Sequence, residues 1–391
     1  MISDFPDAFC PVTTQRISVT SPKSTRIIHT TTLPERPAVW TQATPYAIFD
    51  GLHIMSWIEQ KVLSYEQMRF AQEPNRRVLP FGWGLEHIGG SANERDPRGW
   101  LENFARETVA RSDEWFATTP ADDYVLADNV LTFTSAIESP WPENNRVHAQ
   151  LFQARRRGPA VVVLAQWNSR WEEQQNVCRW LNQLGITAVK LSLPYHDRRA
   201  VPGHPRADYM VSPNIGLTLQ ANRQAVLDTR RVLRWLEQQG YDRLGILGTS
   251  IGSCLAFLTI AHEPALRAGA FLHVSTYFGD VVAAGLTTSN VWETLHHDIS
   301  LDEVRRYFSP ISPYPYISRL HGTRKKVLAI SGRYDPTFPN ELTNEFITAI
   351  RRDGVAFESL SLPCGHYSMG VAPFSYAVGY RFGTFLFQAL A

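Results

Sequence analysis

Apolar positions over the last two thirds of the chain follow two alternating patterns. Short runs rich in Val, Ile, Leu and Ala predict strands at 130–137, 147–154, 160–165, 187–193, 244–248, 269–274, 327–331 and 357–362. Between most of the later runs lie longer stretches in which apolar residues recur every three or four positions, as helices require. The clearest spans about 219–239 and is stopped by Gly240; another covers about 172–184 and ends at Gly185. Strands that alternate with helices imply a mostly parallel sheet covered on both faces, here eight-stranded. The first two runs are joined by the turn-rich segment SPWPENN and predict an antiparallel hairpin at the start of the sheet.

Two regions depart from the alternation. Residues 1–122 form an N-terminal extension with polar, Pro-containing sequence, helices expected near 54–69 and 100–116, and the aromatic segment FGWGLEHIGG between them. Residues 123–391 then form the main domain, which carries the alternation. Within it, about 276–325 is an insertion rich in Tyr, Phe and Trp, and insertions of this kind between strands of a pocket-bearing domain form lids.

The chemistry-bearing motif is Gly248-Thr249-Ser250-Ile251-Gly252, placed between an apolar strand and a helix start. A serine there stands on a sharp turn, and residues two positions either side must be small. The turn also sets Ser250 at a helix N-terminus, where unpaired N–H groups favour a developing oxyanion, so the Ile251 amide is one expected donor. A serine hydroxyl needs a histidine to take its proton and a carboxylate to orient that histidine. Asp335, after the strand in VLAISGRYDPTFP, is the expected acid, with an Asx turn as its bland reading and Asp280 as its rival. His366, in SLPCGHYSMG after the last strand, is the expected base, while His262 and His273 read as core or helix-end residues. The second oxyanion donor is expected in Gln166-Trp167-Asn168, with Trp167 first and Asn168 next. The cluster Tyr195-His196-Asp197-Arg198-Arg199 leaves a strand on the side where ligands bind in such sheets, and is open between rim ion pairing and substrate contact.

Composition narrows the function. Lys and Arg number 38 against 37 Asp and Glu, so no basic face is set up for a nucleic-acid backbone. Arg230-Arg231 reads as a solvated helix face. No run of 18 apolar residues is present, the first residues MISDFPDAFCPVTT lack the features of a secretory signal, and a cytoplasmic location is expected. The four cysteines, Cys10, Cys178, Cys254 and Cys364, have no metal or disulfide spacing and are expected to be reduced and mostly buried. No P-loop, dinucleotide or zinc-protease motif occurs, so neither cofactor nor metal is expected.

Over roughly residues 125–391 these features resemble the α/β-hydrolase superfamily, with its order of serine, acid and histidine. QWN, LPYHDRR, GTSIGS, GRYD and LPCGHY are similar to a bacterial branch near the dienelactone-hydrolase and acetyl-xylan-esterase-like enzymes, related to the α/β-hydrolase-domain-18 group. The resemblance implies an α/β-hydrolase fold and a Ser250, Asp335, His366 triad. Dienelactone hydrolases proper use a cysteine nucleophile; Ser250 instead favours ordinary ester hydrolysis. The expectation is a carboxylic-ester hydrolase acting on a small molecule through an acyl-enzyme. A peptidase or acyltransferase with the same triad is the alternative, and from another class an assembly protein whose aromatic N-terminal arm mediates dimerisation.

Overall fold

Side chains on successive residues of the central strands face opposite sides of the sheet, and both sides are apolar. In the computed structural model, which describes residues 57–73 and 75–391, Ala160, Val162 and Leu164 enter one hydrophobic cluster and Val161 and Val163 the other. That two-sided burial is what a parallel sheet between helical layers demands. The described residues form one compact unit. The expected helix starting near residue 54 begins, within the described residues, at Trp57.

In chain order the elements are α1 (Trp57–Ala71), α2 (Pro97–Ala110), α3 (Ser112–Trp115), β1 (Val125–Ala127), β2 (Val130–Thr134), β3 (Arg146–Phe152) and β4 (Ala160–Leu164). They continue with α4 (Gln175–Gln183), β5 (Thr187–Leu191), α5 (Ile215–Gln238), β6 (Leu244–Thr249), α6 (Ile251–His262) and β7 (Leu266–Leu272). After β7 come α7 (Phe278–Ala284), α8 (Ser289–Asp298), α9 (Leu301–Tyr307), β8 (Lys326–Gly332), α10 (Asn340–Arg352), β9 (Ala356–Leu362) and α11 (Phe374–Ala389). The sheet order is β1-β2-β3-β5-β4-β6-β7-β8-β9; β1, β2, β3 and β5 pair antiparallel and the rest parallel.

The sheet thus has nine strands, not the eight expected. The added strand, β1, is three residues long and exposed throughout, so it carries no alternation. Asp128 and Asn129 at φ 50° and 60° turn the chain from it into β2, the left-handed pair of a tight hairpin turn. Helices α5, α6 and α10 bury one face of the sheet, while α4 and α11 bury the other. The insertion folds into α7, α8, α9 and short 3₁₀ turns between β7 and β8. The segment FGWGLEHIGG lies across the start of α5, where the Gln220 side-chain amide donates to the His87 carbonyl. No helix among the described residues is long and apolar enough to cross a membrane. Cys178, Cys254 and Cys364 are free and buried.

Two arginines are placed otherwise than the sequence suggested. Arg230 is buried rather than solvated, and donates to Glu263 (3.0 Å) and to the Phe116 carbonyl. Arg199 leaves the rim altogether: fully buried, it donates to Asp228 at 2.9 Å, whose carboxylate also accepts from the Ser135 hydroxyl and the Ala136 amide. Removing Asp228 would leave a guanidinium charge uncompensated in the interior. Asp228→Ala is expected to cost about 3–5 kcal/mol, read as a fall in the urea midpoint of unfolding; a midpoint at the wild-type value would refute this role.

Candidate active site

The turn from β6 into α6 is built on close backbone approach. A Cβ on Gly248 would stand 2.1 Å from the Gly252 carbonyl oxygen, and one on Gly252 would stand 2.4 Å from that of Leu164, so neither position admits a side chain. Between them Ser250 adopts φ 56°, ψ −125°, a strained conformation for any residue with a side chain. The strain is held by bonds to the neighbouring strand: the Ser250 amide donates to the Leu272 carbonyl at 2.8 Å, and the Ser253 hydroxyl reaches the carbonyls of Ser250 and His273.

At the same sheet edge, the loop after β8 carries Asp335, and one carboxylate serves two purposes. Its Oδ1 accepts from the Thr337 and Phe338 amides at 2.8 and 2.9 Å, which is the Asx turn of the bland reading. Its Oδ2 accepts from Nδ1 of His366 at 3.0 Å. The turn therefore fixes the acid, and the acid fixes the imidazole. With Nδ1 engaged, Nε2 of His366 is left as the acceptor nitrogen, the tautomer a general base toward a serine requires. Ser250 Oγ makes no hydrogen bond to His366 here; Phe338, stacked on the imidazole at 5.6 Å, lines the cleft into which Ser250 opens. Asp280, the rival acid, is paired with Arg305 at 2.7 Å instead.

A second imidazole completes the cluster. His273, taken from the sequence as a core or helix-end residue, follows β7 at φ 64° and points Nδ1 to 2.6 Å from Asp335 Oδ2, too far off axis for a regular hydrogen bond. Its ring centre lies 4.4 Å from that of His366. The signal for His273 was its place at the end of a strand beside the nucleophile's. His262, by contrast, is a core residue bonded to the Leu258 carbonyl.

The charges respond to this packing. Burial opposes ionisation of Asp335, but the two imidazoles outweigh it and hold the carboxyl well below its usual range. Burial likewise works against protonation of His366, and the facing Asp335 reverses the balance so that its pKa is raised above 6.5. For His273 burial prevails and its pKa is lowered, so it is the neutral partner. The three groups bring ligand-capable atoms within 4.8 Å of one another. Two ligands about 2.1 Å from one tetrahedral ion stand roughly 3.4 Å apart, whereas His273 and Asp335 approach to 2.6 Å. His273 and Asp335 thus stand closer than two ligands of one such ion, while His366 keeps the hydrogen bond to the carboxylate.

The amide of Ile251, first in α6, and that of Trp167, after β4, donate to no protein acceptor among the described residues. Asn168, the alternative donor, is occupied: its amide donates to Nε2 of His196 at 2.9 Å. His196 donates from Nδ1 to the Pro194 carbonyl, and burial pushes its pKa down to about 4, so it is a neutral brace for this loop. The indole of Trp167 is pinned by its Nε1–H to the Ala207 carbonyl.

Ser250 opens into a narrow cleft of about 40 Å³ walled by Trp167, Ile251, Phe278, Val281, Val282 and Phe338, with threonines 287, 288 and 337 at its polar margin. Among the described residues, no charged one lines it. Phe278, Val281 and Val282 come from α7, so the insertion supplies part of the wall. Cys254 also borders it, but burial pushes its thiol up to about 11, far from a nucleophilic thiolate. A wider hollow beside β2 and β3, lined by His148, Gln150, Trp171 and Arg198, contains none of these groups.

Residues 217–372 match the prolyl oligopeptidase family. No curated protein matches the chain. Among solved structures, acetyl xylan esterase 1 from Thermoanaerobacterium sp. JW/SL YS485 is similar at a TM-score of 0.56 and 15% identity, over 75% of this chain and 98% of that one. The Pyrococcus horikoshii acylaminoacyl peptidase gives 0.51 and 12%, over 70% of this chain but only 42% of the peptidase. A lipase in its open form gives 0.50 and 12%, over 66% and 98%. At these identities the likeness is one of fold, and it agrees with the sheet order and the strained serine turn: the chain has the α/β-hydrolase fold.

Proposed function

We propose that the protein is a serine hydrolase that cleaves a carboxylic ester of a small acyl group through an acyl-enzyme. The observation that carries this reading is that Ser250, on a strained helix N-terminus beside the Asp335–His366 pair, faces a small cleft without a charged residue. Ser250 Oγ attacks the ester carbonyl while Nε2 of His366 takes its proton, which requires the hydroxyl to swing to the imidazole when substrate binds. Asp335 holds the ring and stabilises its charged form. The amides of Ile251 and Trp167 receive the oxyanion. His366 then protonates the leaving alcohol, and water activated by the same imidazole releases the acid. The aliphatic and aromatic walls suit an apolar acyl group, and the small volume suits a short one.

A peptidase acting through the same residues is the second reading, favoured by the match to the prolyl oligopeptidase family. It would need a site for a peptide chain on either side of the scissile bond, and the uncharged cleft favours the ester.

A fluorophosphonate is expected to label the wild type and not Ser250→Ala; labelling that survives the substitution would refute Ser250 as nucleophile. His366→Ala is expected to lower turnover of p-nitrophenyl acetate on the order of 10⁴-fold with an unchanged circular-dichroism spectrum. Acetyl and butyryl esters are expected to outrun long-chain ones, and faster cleavage of peptide anilides than of any ester would decide for the peptidase.

The raised pKa of His366 has a definite sign in pH. The ring keeps its proton to higher pH than a free imidazole, and only its neutral form is a base. Activity is therefore expected to rise with pH through a midpoint above 6.5. His273, its pKa lowered, is expected to stay neutral there. Imidazole NMR titration with His366→Ala and His273→Gln as assignments tests both; a His366 midpoint below 6.5 would contradict the assigned environment.

A further inference from the structure

Helix α1 has little apolar reason to sit where it does. Trp57, Ile58 and Met68 are exposed, and the helix's single fully buried residue is Glu66. A surface helix ordinarily docks by an apolar stripe; here a carboxylate is what goes inside, and burying one is tolerated only if its oxygens are satisfied.

They are satisfied by the loop that carries His366. Oε2 of Glu66 accepts from the Tyr367 amide at 2.7 Å, and Oε1 accepts from the Ser368 amide at 2.9 Å and the Ser368 hydroxyl at 2.7 Å. That hydroxyl in turn accepts from the Gly365 amide at 2.8 Å. Residues on both sides of His366 are thereby closed onto one carboxylate. The fit is tight enough that a Cβ on Gly365 would stand 2.6 Å from Glu66. Just past α1, Glu73 accepts from the Tyr367 hydroxyl at 3.1 Å and pairs with Arg206 at 3.5 Å. The Arg206 guanidinium lies over the Trp167 ring, 5.2 Å from its centre. The same strap therefore touches the base loop and the loop of the second oxyanion donor.

We propose that Glu66 is a positioning residue for His366: the α1 carboxylate fixes the loop that sets the imidazole against Asp335 and toward Ser250. This rests on His366 being the general base. Without the carboxylate, two loop amides and the Ser368 hydroxyl lose their acceptor, and the loop is free to settle elsewhere. A displacement of about 1 Å at a reacting group costs on the order of 10²-fold in rate.

The charge of Glu66 also reaches the ring. His366 is faced by Asp335 after β8, His273 after β7, Glu66 and Glu73 from the strap, and Cys364 and Tyr367 of its own loop. Burial favours the neutral imidazole, while Asp335, then Glu66 and Glu73, favour the charged one. Removing Glu66's charge with its shape kept therefore moves the His366 midpoint to lower pH.

The test uses the full chain with Glu66→Gln and Glu66→Ala, kinetics on p-nitrophenyl acetate across the imidazole pH range, fluorophosphonate labelling rate, and NMR titration of His366. The expected result is a fall in kcat on the order of 10²-fold in Glu66→Ala with KM little changed, slower labelling, and an acidward shift of the His366 midpoint in Glu66→Gln. Wild-type kcat, labelling rate and His366 midpoint in both variants, with only a lower melting temperature, would overturn the proposal and leave Glu66 a structural cap. If Glu66→Ala fails to fold, the near-isosteric Glu66→Gln still decides through its midpoint. Failure of the serine-hydrolase reading is told apart by the wild type, which would then resist the fluorophosphonate, while the NMR midpoint still reports on Glu66.

Discussion

The candidate site depends on keeping one carboxylate charged in the interior. Asp335 is buried, and it remains an anion because three donors converge on it, two amides of its own turn on one oxygen and His366 on the other, with the His273 imidazole packed beside that second oxygen. Those imidazoles arrive after β7 and β9, which flank β8 in the sheet, so the carboxylate draws three consecutive strand ends together. Because these strands are parallel, their C-terminal ends all lie on one edge, the edge at which β6 delivers Ser250. The order of the sheet and the charge of one residue thus define the same spot.

Two histidines on one acid are not equivalent. His366 stacks on Phe338 of the cleft wall and gains proton affinity from Asp335; His273 is buried deeper, loses it to desolvation, and stays neutral. A neutral second imidazole can steady the carboxylate without competing for its charge, which preserves the electrostatic pull of Asp335 for His366. The arrangement explains why the strand after the nucleophile's ends in a left-handed residue: His273 must turn back over the sheet edge while its carbonyl still receives the Ser253 hydroxyl.

What the sequence made legible was whatever local sterics or chain order impose. The serine turn could be read because close backbone approach forbids side chains at Gly248 and Gly252, a demand written within five residues. Asp335 and His366 followed from order along the sheet. His273 carried only the weak signal of a strand end, because its place depends on the register that sets Leu272 beside Ile330 and so brings it next to the β8 loop. Glu66 is 301 residues from Tyr367, and nothing in its surroundings along the chain marks it as buried. Arg230 looked solvated because charge on a helix face usually is; Glu263, at the end of α6, is what draws it inside. β1 escaped notice because an exposed three-residue strand has no face to alternate.

These misses share a cause that bears on how the molecule is organised. Apolar burial builds the sheet and its two helical layers, and it leaves periodic traces in sequence. The active edge is held differently, by buried polar groups that each need a distant partner: Glu66 for the His366 loop, His196 for the Trp167 loop, Asp228 for Arg199. Such groups contribute little to folding when satisfied and are costly when they are not, so they act as geometric locks. The cleft wall is held otherwise: Phe278, Val281 and Val282 of α7 reach it through apolar packing, and just past the helix the Leu286 amide donates to the Pro336 carbonyl, beside Asp335, at 2.9 Å. Wall and acid loop are thus joined by one backbone bond, so a change in α7 that moves Leu286 is felt at the Asp335 turn.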